Sequence, residues 1–197
     1  MYRAFRSFPT GARLHTLIRF LTCPMLRVIE HVPAGGKLLD VGGGHGVFGV
    51  LVSNRVARVI AVEPDLRKVR PVEGVQFVIG YDDTVRGSFD AISILDVLYK
   101  IPMTAWDPLL ARIAERLAPG GTLIIKEMDP TERLKNSWNW LQEHLVALVG
   151  LTLGEGFDLE SPAAFAARLN RHGFTHVETH KVDRFYPHPH FLYIARR

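Results

Sequence analysis

Lys37-Leu38-Leu39-Asp40-Val41-Gly42-Gly43-Gly44-His45-Gly46-Val47-Phe48 is the stretch whose reading decides the fold. A short apolar run ends in an acid, and glycines then stand at every second position, Gly42, Gly44 and Gly46. The apolar run reads as a parallel strand buried on both faces and bounded by turn residues. Glycines there let the backbone take positive φ and let a ligand come closer than a β-carbon would allow. From Phe48 to Arg55 the pattern turns helical, so the loop joins a strand to a helix N-terminus, where open α/β sheets bind nucleotides.

The spacing narrows the ligand. A dinucleotide fingerprint needs G-x-G-x-x-G, and Val47 stands where its third glycine belongs. Arg58 to Val62 reads as a second strand with Glu63 at its carboxyl end, placed to accept hydrogen bonds from both hydroxyls of a ribose. Asp40-x-Gly42-x-Gly44-x-Gly46 followed by Val62-Glu63-Pro64-Asp65 resembles the class I S-adenosylmethionine-dependent methyltransferases. The resemblance runs from about Leu26 to the C-terminus, and Arg116-Leu117-Ala118-Pro119-Gly120-Gly121-Thr122-Leu123 is a further phrase of that family. It implies an α/β, doubly wound, seven-stranded sheet of Rossmann-like methyltransferase type, last strand antiparallel, with N-terminal covering helices. The expected organisation is a single methyltransferase domain over 1–197. Residues 1–33 form a helical cap, and 34–197 form the cofactor-binding core with a helical insertion near 130–156.

Length and composition agree with that reading. The chain has 197 residues, 47% of them hydrophobic and 22% charged, enough for one domain with a sizeable core. One cysteine, Cys23, excludes an internal disulfide framework and fits a reducing cytoplasm, the expected location. No metal is expected, because the nine histidines include no H-E-x-x-H pattern. The net charge is +4, and five arginines but a single acid, Glu30, precede Lys37. Such a basic end is a solvated surface or faces an anionic partner, so peripheral membrane contact through the basic N-terminal helix is one expectation.

Along the chain, residues 1 to 10 read as irregular. Leu14, Leu17, Ile18 and Leu21 then recur at helical spacing, too short and too charged a stretch to span a bilayer. A signal peptide is not expected, since Arg19 interrupts the apolar region. Pro24 opens a second helix. In the family such helices cover the substrate pocket; packing against the sheet is the other reading. Val75 to Ile79, Phe89 to Asp96 and Thr122 to Lys126 read as the third, fourth and fifth strands. Thr104 and Asp107 form a capping box for a helix ending at Leu117. Asp129-Pro130 starts a helix with an apolar stripe through Leu134, Trp138, Leu141, Leu145 and Leu148. That stripe is a substrate lid by resemblance, or core or a dimer face. Ser161-Pro162 opens the last helix, and strands near Thr175–Val182 and Phe191–Ala195 close the sheet.

The resemblance also assigns roles. Cofactor-binding residues are Asp40, Gly42, Gly44, Gly46, Glu63, Pro64, Asp82 and Asp96. The adenine contact stays open between Asp82, Asp83 and a stacked Tyr81. Leu95 to Pro102 lies between cofactor and acceptor, where many relatives carry histidine near Tyr99. The N/D-P-P-Y/F motif of amino-methylating nucleic-acid enzymes is absent. Orientation supplies about 7–11 kcal/mol of barrier reduction, against about 3–5 kcal/mol from a general base. Positioning therefore outweighs a base; the candidates for one are Asp96, Tyr99, His144 and His188. Lys100 and Lys126 read as solvated charges. The expected activity is S-adenosylmethionine-dependent methylation of oxygen, nitrogen or carbon in a small apolar metabolite or lipid-like acceptor. The apolar stripes of the two covering segments are its support. An RNA or protein methyltransferase and a non-catalytic scaffold binding the cofactor are the alternatives. No nucleic acid partner is expected, and the chain is a monomer or homodimer.

Overall fold

The computed structural model describes residues 2–129, 160–186 and 188–197. Seven strands form one sheet: β1 (Lys37–Val41), β2 (Arg58–Glu63), β3 (Gln76–Ile79), β4 (Phe89–Leu95), β5 (Leu117–Met128), β6 (Thr175–Lys181) and β7 (His190–Arg196). Their order is β3-β2-β1-β4-β5-β7-β6. Neighbours from β3 to β5 are parallel, while β7 runs antiparallel to both β5 and β6. Chain order reverses direction between β1 and β4, which makes the carboxyl ends of these strands the place for a ligand.

Helices cover both faces, and the strand residues divide accordingly. Leu39, Val41, Ile92 and Ile94 pack with Leu110 and Ile113 of α4 (Trp106–Arg116) and Phe165 and Leu169 of α5 (Pro162–Arg171). Leu38, Val59 and Leu95 face the other way, onto Val28 of α2 (Met25–Ile29) and Phe48 and Val52 of α3 (Val47–Val52). Burial on both sides explains the unbroken apolar runs of β1, β4 and β5.

Four expectations are revised. Residues 2–8 are anchored: Tyr2–Phe5 is a 3-10 turn, and Phe5 and Phe8 pack with Cys23, Met25 and Val47. The helix α1 (Thr10–Thr22) forms, but its apolar stripe points outward. Thr16 is buried, while Leu14, Ile18 and Leu21 are exposed. The capping box does not form, because a 3-10 turn at Met103–Ala105 leaves Ala105 at the cap position with no side-chain bond. Asp107 instead accepts from Arg168 at 2.7 Å and His172 at 2.8 Å, tying α4 to α5. Finally, β5 begins at Leu117, and Gly120 and Gly121 exchange backbone bonds with Arg197. The expected helix over 130–156 lies outside the described residues, as do His144 and Trp138. Among the described residues no helix is long and apolar enough to cross a membrane.

Candidate functional site

A cavity of about 390 Å³ sits at the carboxyl ends of β1, β2 and β4, under α1. Its first end is built from backbone. The N–H groups of Gly42 and Gly43 both donate to the Val62 carbonyl, at 2.9 and 3.2 Å, folding the loop over the end of β2. Gly42 has φ +70°, and a β-carbon there would lie 2.5 Å from Val97 Cγ2. Gly44 has φ +57° with no atom within 4 Å of a built β-carbon, so space is left where a ligand would lie. Glu63 is buried at the end of β2. Its Oε2 accepts from Gly44 N–H at 2.9 Å and its Oε1 from Asp65 N–H at 3.1 Å. Asp40 accepts from Ser93 Oγ at 2.7 Å, and burial pushes its pKa up to about 7.

The second end is built from side chains. Asp96 follows β4 with φ +59°, a strained setting for a non-glycine residue. It receives three groups from distant elements: Arg19 of α1 at 2.8 Å, Lys126 of β5, and His190 of β7 at 3.5 Å. Lys126 is 0% exposed. Burial pushes the Asp96 carboxyl up, but Lys126, His190 and Arg19 outweigh it and hold the group well below its ordinary range. So held, Asp96 is a poor proton acceptor. Beside it, Glu127 Oε1 accepts from the N–H groups of Val97 and Leu98, at 3.0 and 2.8 Å. Its Oε2 is buried with no hydrogen-bond partner among the described residues. Burial, then the Asp96 charge, raises the Glu127 pKa to about 7.

Asp40, Gly42, Gly44, Glu63, Pro64 and Asp96 all line the cavity. Gly46 does not; at φ +78° it caps α3 and abuts Phe77. Asp82 is also elsewhere, since its carboxylate takes Arg112 at 2.6 Å and Arg116 at 3.4 Å, both on α4. Of the three candidates for the adenine contact, Tyr81 is the one that lines the cavity. Tyr99 is buried beside it, while Lys100 lines it with Nζ 5.0 Å from the Tyr99 ring centroid. His188 meets the site through His190: its carbonyl lies 3.1 Å from His190 Nδ1 and its ring stands edge-on to the His190 ring. Lys126 is thus not a solvated charge, and Lys100 is half-buried at the cavity wall.

The sequence reading passed over His15, Arg19, His45 and Lys68, all of which line the cavity, and His190 and Glu127 behind it. The signal for Arg19 was its place on the helix side opposite Leu14 and Ile18. Burial, then the Arg19 charge, lowers the His15 pKa to about 4, so the ring is neutral. Its Nδ1 is buried and unbonded among the described residues.

Comparison with known proteins agrees with this geometry. A family model described as a methyltransferase domain matches residues 14–179. A ubiquinone biosynthesis O-methyltransferase of Xylella fastidiosa is 28% identical over 173 residues, which is 81% of this chain and 69% of that protein. The chain spans less than half of Xanthomonas oryzae proteins of the same name, 45% at 30% identity. Among solved structures, a methyltransferase of Haloferax volcanii in complex with the Trm112 activator has TM-score 0.74 at 16% identity, covering 99% of this chain and 96% of its own. The magnesium protoporphyrin IX methyltransferase of Synechocystis, solved with S-adenosylhomocysteine bound, has TM-score 0.64 at 18% identity, covering 94% and 84%. The residues present suit that nucleoside: an open glycine bend, a buried carboxylate at the end of β2 and an aromatic ring at the rim. The chain belongs to the class I S-adenosylmethionine-dependent methyltransferases.

Proposed function

We propose that the chain transfers the methyl group to an oxygen of a small apolar acceptor. The observation that carries this reading is the cavity wall: Met25, Phe48, Leu95, Val97 and Ile101 line the same space as Glu63 and Gly44. The O-methyltransferase names of the relatives favour oxygen over nitrogen or carbon. The outward stripe of α1 gives no support to an apolar acceptor, because α1 meets the cavity through His15 and Arg19.

When bound, S-adenosylmethionine supplies a methyl group already activated by its sulfonium charge. Glu63 would receive the ribose hydroxyls, and Gly44 would leave room for the nucleoside against the loop. Val97 and Ile101 flank the acceptor and keep water from it. Because Glu127 holds the Val97 and Leu98 N–H groups, the segment after β4 presents a fixed wall. Orientation is the main contribution, worth about 7–11 kcal/mol. Asp96 takes no proton; it keeps Arg19 and Lys126 in place.

The test pairs calorimetry with turnover. Glu63→Ala is expected to bind S-adenosylhomocysteine more weakly by about 1–3 kcal/mol, the loss of charge-assisted hydrogen bonds. Wild-type protein is expected to methylate members of a panel of apolar phenols in preference to amines. Unchanged affinity in the variant removes Glu63 from the nucleoside, and preference for amines or RNA removes the acceptor assignment.

A further inference from the structure

We infer that the outer face of α1 and α2, with the β6–β7 turn, is a docking surface for an anionic lipid bilayer. The proposal concerns the side of α1 facing away from the cavity, so it stands whichever acceptor the enzyme uses.

α1 has two unlike sides. Its inner side carries His15, Thr16 and Arg19, committed to the cavity or buried. Its outer side exposes Leu14 by 57%, Ile18 by 48% and Leu21 by 63%, and Leu26 of α2 adds another exposed leucine at 51%. Most apolar side chains of a helix this size face inward; here the aliphatic side faces solvent. Contiguous exposed aliphatics of this kind mark an interaction surface.

The β6–β7 turn is tied to α2. Arg27 of α2 donates to the Arg184 carbonyl at 3.1 Å, and its guanidinium lies 5.9 Å from the centre of the Tyr186 ring. This bond ties the turn to α2. At its tip Phe185 is 88% exposed, with φ +73°, and the Arg184 guanidinium lies 5.0 Å from its ring centre. A bulky residue held in a left-handed turn and pushed into solvent is an unfavourable arrangement for a surface that meets only water.

Charge identifies the occupant. Of the five arginines that precede Lys37, Arg19 is turned into the cavity; Arg3 and Arg6 are exposed, Arg27 and Arg184 stand at the turn, and Glu30 is the single acid in that stretch. Two copies of the chain meeting through this face about a two-fold axis would set arginine against arginine. An RNA would need stacking platforms, whereas the centre of the patch is aliphatic. A bilayer with anionic headgroups satisfies both parts, taking Leu14, Ile18, Leu21 and Phe185 at the acyl boundary and the arginines at the phosphates. α1 then joins two functions, walling the cavity on one side and meeting the bilayer on the other.

The experiment is co-sedimentation with vesicles of phosphatidylglycerol mixed into phosphatidylcholine, beside vesicles of phosphatidylcholine alone. Wild-type protein is expected to pellet with the anionic vesicles and to be released by salt. The double variant Ile18→Glu, Leu21→Glu and the single variant Phe185→Glu are expected to lose at least about tenfold in partitioning, as acidic groups replace inserted apolar ones. Their melting temperature and S-adenosylhomocysteine affinity should match wild type, since these side chains touch neither core nor cavity; a variant that fails this control is replaced by Leu14→Ser, Leu26→Ser. The proposal is overturned if wild type ignores anionic vesicles, if it binds both vesicle types equally, or if the folded variants pellet as wild type does. It is overturned too if sedimentation equilibrium shows a dimer that the same variants dissociate.

Discussion

The two ends of the cavity are held by different means. At the glycine loop, Gly42, Gly43 and Gly44 bond through backbone N–H groups to Val62 and Glu63, on the neighbouring strand. At the Asp96 end the contacts are between side chains of remote elements, Arg19 lying 77 residues away and Lys126 30 residues away. On the proposed reading, removing the Glu63 carboxylate takes a group from the nucleoside and the acceptor from the Gly44 and Asp65 N–H groups, while the backbone bonds between Gly42, Gly43 and Val62 remain. Removing a cation at the second end leaves a buried charge short of a partner. The proposed reading therefore expects affinity to fall most for changes at the first end and stability to fall most for changes at the second.

The strongest way to break the comparison is Lys126→Met. Taking one partner from a buried ion pair costs roughly 3–5 kcal/mol, and Arg19 and His190 still face Asp96, so the low end is expected. A melting curve should fall by roughly 6–12 °C, at about 2–4 °C per kcal/mol in a chain this long. A shift within a degree or two would show that the cluster carries no such load.

Glu127→Gln sharpens the comparison through pH. The folded-state pKa of Glu127 is raised from 4.5 to about 7, so its contribution to stability is complete below pH 4.5 and is lost as pH rises through 7. The difference corresponds to roughly 3 kcal/mol at about 1.36 kcal/mol per pH unit. Glutamine retains a carbonyl acceptor for Val97 and Leu98 without titrating. Between pH 5 and pH 8 wild type should lose more stability than the variant; parallel denaturation profiles would contradict the burial argument. Asp40, also raised to about 7, keeps some slope in both proteins.

The smallest effect is expected far from either end. Thr104 makes no capping bond to α4, so Thr104→Ala should change stability by less than about 0.5 kcal/mol. A formed cap would instead cost about 1 kcal/mol. Urea unfolding of the single variant decides between the two.

What was legible in the sequence was what neighbouring residues decide. The turn at Gly42–Gly46, the acids Asp40 and Glu63 and the apolar runs of β1, β4 and β5 depend on local backbone conformation and burial on both faces. What was not legible depends on direction or distance. Periodicity shows that α1 has an apolar stripe, but not which way the stripe faces, and the polar side won the cavity because Arg19 reaches a buried carboxylate. Thr104 and Asp107 have the spacing of a cap, yet the preceding 3-10 turn carries the helix start past Thr104. Asp82 lies one residue beyond the position that faces the cavity, and two arginines of α4 claim it. Lys126 had a readable clue: in the parallel register of β4 and β5, Leu95 pairs with Lys126, which puts the lysine next to Asp96.

The place of β7 in the sheet has a consequence for biosynthesis. β6 is made before β7 yet touches the sheet only through it, because β7 lies between β5 and β6. His190, one of the three groups on Asp96, arrives with β7. During translation the glycine loop after β1 can take shape early, from contacts close in sequence. The Asp96 cluster must wait until the last of the seven strands has emerged and slotted into the sheet. Until then a half-made chain carries a carboxylate and a lysine awaiting their full set of partners, and a sheet edge at β5 open to any strand that reaches it first.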